Sequence, residues 1–186
     1  MENIAWSKTI LSVYRYLKRM TYAFDRMVKS KAYNSFHTTS DNFAINNIFD
    51  LSESILDLTE RKVTLINLKV LTDKALASMD KELAKILILK FFEGKKCDEI
   101  ANLIHCSTRT YFRKLTVAYS AFYVALVNLG YDENRLEIML KNEKWIMLVY
   151  EDFSSYEKSF DIESEIFKQH IRRNLYFELK KVGALC

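Results

Sequence analysis

Apolar positions along the chain recur mostly at steps of three and four. Trp6, Ile10, Val13, Leu17, Met20, Phe24 and Met27 form one such stripe, which predicts an amphipathic helix over Ile4–Lys29. Ser30–Ser40 is polar and rich in Ser, Thr and Asn, so it reads as a loop. A second helix is expected from Asp41 to about Leu58. A third is expected over Glu60–Ser78, with Val63, Ile66, Leu68, Val70 and Leu71 as core candidates. Two helices are expected, with a single continuous one as the alternative, because no Gly or Pro separates them.

Asp80 is placed to cap a further helix running through Phe92, and Gly94 is placed to end it. A short helix around Glu99-Ile100-Ala101 follows. After a tight turn comes a longer helix opened by Ser107 and continued through Val127 to Gly130. Asp132 then opens helices near Glu133–Tyr150 and Ser155–Val182. The reading is all-α: a multi-helix bundle divided into 1–75, 76–130 and 131–186. Composition agrees, with 49% apolar residues, 23 Tyr and Phe, three Gly and no Pro.

The most informative stretch is Met79–Gly130. In the longer helix Tyr111, Leu115 and Ala118 fall at steps of four and three on one face, which predicts their burial. Thr108, Arg109, Phe112, Arg113 and Thr116 then lie on the opposite face, with Lys114 at the flank. Two helices joined by so short a turn form a helix-turn-helix, whose second helix can enter the major groove of DNA. Arg109 and Arg113 suit bidentate pairing to guanine or a phosphate clamp, and Phe112 suits a thymine methyl.

This segment resembles the C-terminal helix-turn-helix domain of sigma factors, the part that reads the −35 promoter element. It is also similar to small phage-type regulators built on that domain alone. The resemblance runs over about Leu76–Leu129. It rests on Leu76, Met79, Ile86-Leu87, Leu89, Glu93-Gly94, Glu99-Ile100-Ala101, Ile104, Ser107, Thr110-Tyr111, Leu115 and Ala118. It implies an all-α fold with an embedded sigma-like helix-turn-helix and a DNA-binding transcriptional regulator. Double-stranded DNA is the implied partner, with RNA polymerase or another sigma factor as a further one. The implied DNA-binding residues are Thr108, Arg109, Phe112, Arg113, Lys114 and Thr116, with Lys95 and Lys96.

Several positions depart from the family pattern. Asp80 replaces a frequent Pro, and Ala84 a frequent Arg. Lys96 stands where a capping Ser is usual, which leaves Asp98 or water to cap. His105 stands at the turn position usually held by Gly, a conformation His tolerates. Nothing before Leu76 matches the sigma domain that melts promoters, so the chain is not expected to act as a complete sigma factor.

Charge distribution supports a polyanionic partner better than the net +4 does. Ile100–Tyr131 holds no Asp or Glu. Between Asn3 and Ser40, Asp25 is the only acid against seven Lys and Arg. Asp132–Glu165 carries ten acids and four bases. Along the first helix Arg15, Lys18, Arg19, Arg26 and Lys29 offer phosphate or polymerase contacts, or simply a solvated face.

Other function classes find little support. The three His and three Cys show no metal-ligand spacing, and no nucleophile-base set or phosphate loop stands out. No catalytic residue, metal or cofactor is therefore expected. Cys97 and Cys106 are expected to pack as small core residues. With no signal peptide or membrane span, a cytoplasmic protein is the expectation. A protein-interaction adaptor that keeps the helix-turn-helix shape without reading DNA is the competing reading.

Overall fold

The computed structural model describes residues 4–37 and 44–156, and beyond them 169, 172–174, 176, 177 and 180. Most of the described residues are helical, with no strand among them. The elements are α1 (Ile4–His37), α2 (Ala44–Ser78), α3 (Lys81–Leu87), α4 (Cys97–Leu103), α5 (Thr108–Asn128), α6 (Glu133–Leu140) and α7 (Lys144–Tyr156). A π-helical turn, Ile88–Phe92, continues α3.

The long helices α1 and α2 pack along each other, and α1 also lies against α5, α7 and the π turn. The stripe from Trp6 to Phe24 is buried as its spacing requires. It meets Leu58, Leu65, Leu68, Leu71 and Ala75 of α2. One continuous core joins these residues to Ile86, Ile100, Tyr111, Leu115 and Phe122, and on to Leu136, Trp145 and Val149. Two buried hydroxyls find carbonyl partners: Ser7 donates to that of Tyr119 across the fold (2.9 Å), and Thr72 to that of Leu68 one turn back (2.8 Å), whereas the buried Trp6 indole N–H has no acceptor among the described residues.

Four expectations change. α1 continues to His37, so Ser30–His37 is helix despite its polar composition; with no Gly or Pro to break it, composition is a weak prior against continuing the helix. Residues 38–43, including the expected helix start at Asp41, lie outside the described residues. The second and third helices are one, because nothing in Thr59–Glu60 breaks the backbone ladder. Val63, Ile66 and Val70 are exposed; of the named core candidates on α2, Leu68 and Leu71 are buried. The segment Glu133–Tyr150 breaks at Lys141–Glu143, where Glu143 turns inward.

Glu143 is fully buried, and its carboxylate holds the C-terminal helices to the rest of the bundle. Arg61 of α2 donates to it through Nε (3.0 Å) and an Nη (3.3 Å), and Trp145 Nε1 donates at 3.0 Å. The Arg61 guanidinium lies 4.8 Å from the Phe24 ring centroid. Of the helix expected over Ser155–Val182, Ser155 and Tyr156 end α7 and the described positions from 169 onward are helical. The remainder lies outside the described residues.

Candidate nucleic-acid interface

The site begins at Asp80. Its carboxylate accepts from the backbone N–H groups of Glu82 (2.9 Å) and Leu83 (3.0 Å), starting α3. The π turn that follows is closed by the Glu93 N–H donating to the Ile88 carbonyl (3.0 Å). α1 braces this turn. Arg15 donates to the Phe91 carbonyl through Nε (3.3 Å) and an Nη (2.9 Å). Tyr14 stacks on Phe92, with ring centroids 3.9 Å apart. Arg15, for which the sequence left open a phosphate or polymerase contact or a solvated face, serves as a brace.

Gly94 ends the turn at φ +70°, and a Cβ there would sit 3.2 Å from the Arg15 guanidinium. α4 then starts at Lys96 without a side-chain cap from that residue, since an ammonium cannot accept. Glu99, rather than the expected Asp98, accepts from the Lys96 backbone N–H (3.2 Å). The change follows from geometry, because a residue at the third helical position can reach back to the cap.

α4 ends in a Schellman motif. His105 adopts φ +52°, its N–H donates to the Asn102 carbonyl (3.2 Å), and the Cys106 N–H donates to that of Ala101 (3.0 Å). The turn thus forms on His where Gly is usual. Ser107 then caps α5 by accepting from the Thr110 N–H (3.2 Å). Tyr111, Leu115 and Ala118 are buried against α3 and α4, which fixes the rotation of α5. Cys97 and Cys106 are half-buried and pack against the core.

That rotation leaves Thr108, Arg109, Phe112, Arg113 and Thr116 exposed on one face. Phe112 is 40% exposed, with its ring edge-on to Tyr111. The Thr116 hydroxyl donates to the Phe112 carbonyl (3.2 Å), which occupies its proton but leaves its lone pairs available. Lys95 sits 3.6 Å from Glu93, and Lys96 is exposed.

Lys114 is held more closely than Lys95. Its ammonium donates to Glu82 of α3 at 2.6 Å. The hydrogen bond to that carboxylate raises the lysine pKa above its ordinary value, with the charges of Glu82 and Asp80 adding to the effect. Sequence reasoning missed this partner because Glu82 lies 32 residues away in the chain. The absence of acids in Ile100–Tyr131 says nothing about acids folded onto it. Ser7 was likewise unreadable as the residue that anchors α1 to α5.

No group of three His, Cys, Asp or Glu side chains among the described residues is placed to hold a metal. No helix among them is long and apolar enough to cross a membrane.

A family model described as ECF sigma factor matches residues 34–128, just over half of the chain. It takes in the helix-turn-helix resemblance and extends it toward the N-terminus across all of α2. No curated protein and no solved structure matches the chain significantly. With a family match of this extent over a sigma-type helix-turn-helix, the chain belongs to the ECF sigma factor family, a family of non-enzymatic transcription factors.

Proposed function

We propose that this transcription regulator binds duplex DNA by laying the first half of α5 in the major groove and contacts RNA polymerase while bound. The observation that carries the reading is the rotation of α5. Tyr111, Leu115 and Ala118 face the core, so Arg109, Phe112 and Arg113 face outward near the helix N-terminus, where reading helices meet base edges. Arg109 and Arg113 supply base or phosphate pairing. Thr108 and Thr116 supply hydroxyl contacts, and Phe112 an apolar contact to thymine. Lys95 and Lys96 precede α4 and serve the phosphate backbone. Lys114 contributes least because Glu82 already holds it. Family membership supports the polymerase contact.

The test is fluorescence anisotropy on a duplex recovered by selecting genomic fragments with the purified protein. Arg109→Ala and Arg113→Ala should each cost about 1–3 kcal/mol and relax preference at one base pair, with the fold intact by circular dichroism. Unchanged affinity in both folded variants would remove α5 as the reading helix.

A further inference from the structure

The second long helix carries apolar residues on two opposite faces. Leu58, Leu65, Leu68, Thr72 and Ala75 face the core. On the far side, Phe49, Leu56, Val63 and Val70 recur at strict seven-residue steps and are 70%, 58%, 49% and 45% exposed. Ile66 joins them, also exposed, and Ala77 continues the repeat as a small exposed residue. One apolar residue in every seven, with Ile66 between two of them, makes a narrow stripe along this side, and helices with apolar stripes on both sides are normally covered on both. From Phe49 to Ala77 the seam is about 42 Å long at 1.5 Å per residue.

Charge along the same helix identifies what covers it. Its N-terminal half carries Asp50, Glu53, Asp57 and Glu60 and no Lys or Arg between 48 and 60. Its C-terminal half, 61–74, carries Arg61, Lys62, Lys69 and Lys74 against Asp73 alone. Arg61, Lys62 and Lys69 are neutralised within the chain, by Glu143, Asp25 and Asp73. Lys74 is exposed, and the structure shows no carboxylate paired with it among the described residues.

We propose that two copies of the chain pair antiparallel through this face of α2, with the two-fold axis at Val63. That arrangement sets Leu56 against Val70 of the other copy and the large Phe49 against the small Ala77. It brings Glu53 beside Lys74 across the seam, once on each side of the axis. A parallel pairing stacks the four carboxylates of one copy against those of the other, which is unfavourable. Because one helix supplies both halves of the complementarity, a second copy fits this face without any other partner.

Sedimentation equilibrium of the full chain over a range of concentrations tests the pairing. The expected result is a mass rising toward twice the 22.0 kDa of one chain. Val63→Glu places like charges at the axis and should weaken the dimer at least tenfold by the cost of two desolvated carboxylates, with helix content unchanged. Glu53→Lys and Lys74→Glu should each weaken it, and the two together should restore it. A monomer at every concentration would overturn the proposal, and would mean that the chain's own C-terminal residues or a different protein covers the face. A dimer indifferent to Val63→Glu would overturn it as well, and failure of the charge swap to restore pairing would overturn the antiparallel arrangement.

Discussion

At the scale of single residues, the sharpest contrast lies between two ion pairs. Lys114 and Glu82 meet at 2.6 Å on the surface, where such a pair adds little to stability. Its importance is to binding, because Glu82 competes with phosphate for the ammonium. Glu82→Gln should therefore raise affinity for duplex DNA and steepen its salt dependence by up to about 0.9 in log–log slope, one additional phosphate contact. An unchanged slope would show that Lys114 points away from the DNA. The carboxylate raises the lysine pKa, so the lysine stays charged through neutral pH. The pair is present below the ordinary lysine range and is lost only as pH climbs through the raised value.

Arg61 and Glu143 behave oppositely. Glu143 is buried and serves both Arg61 and the Trp145 indole, so Glu143→Ala removes the buried carboxylate that both groups share. Urea denaturation should show a loss of about 3–5 kcal/mol, the range for breaking a buried pair from one side. A loss below about 1 kcal/mol would mean that the C-terminal helices are held by apolar packing alone.

At the scale of elements, the helix-turn-helix combines one strained turn with one well-packed helix. His105 at φ +52° pays the cost an L side chain meets in the left-handed region, and its side chain is exposed. His105→Gly should therefore stabilise the protein by on the order of 0.5–1 kcal/mol after the extra chain entropy of glycine is subtracted. A lower melting temperature would contradict that reading. Leu115→Ala, which empties a buried position beneath α5, should cost about 2–5 kcal/mol by the same melts. Wild-type stability in that variant would show that α5 is rotated relative to the structure.

The same elements show what a sequence can reveal. Caps at Asp80, Ser107 and Asp132, the turn at His105 and the buried face of α5 all follow from local spacing, and all are present. Val63, Ile66 and Val70 did not, because periodicity reports a stripe without saying which of two stripes meets the core. The break before α7 escaped because its cause is a buried Glu whose partner, Arg61, sits 82 residues earlier. The Lys114–Glu82 pair escaped for the same reason: ion pairs across the fold leave no local trace.

At the scale of the whole molecule, one core runs from α1 through α7, with the helix-turn-helix built into it. The Ser7–Tyr119 hydrogen bond and the Arg15 brace tie α1 to that unit from both ends of the motif. The family match begins at residue 34, whereas the residue-by-residue resemblance begins at Leu76. The reason for excluding a promoter-opening role was an unmatched stretch before Leu76. That stretch now shrinks to the residues before 34, most of them in α1.

Dimethyl sulfate protection on a selected duplex tests the central claim most directly, since the reagent methylates guanine N7 in the major groove, where Arg109 and Arg113 are proposed to pair. Wild-type protein should protect guanines in one short major-groove segment, and the Arg109→Ala/Arg113→Ala double variant should lose that protection while remaining folded. Protection that survives in the double variant, or binding by the wild type with every guanine N7 still reactive, would contradict the account.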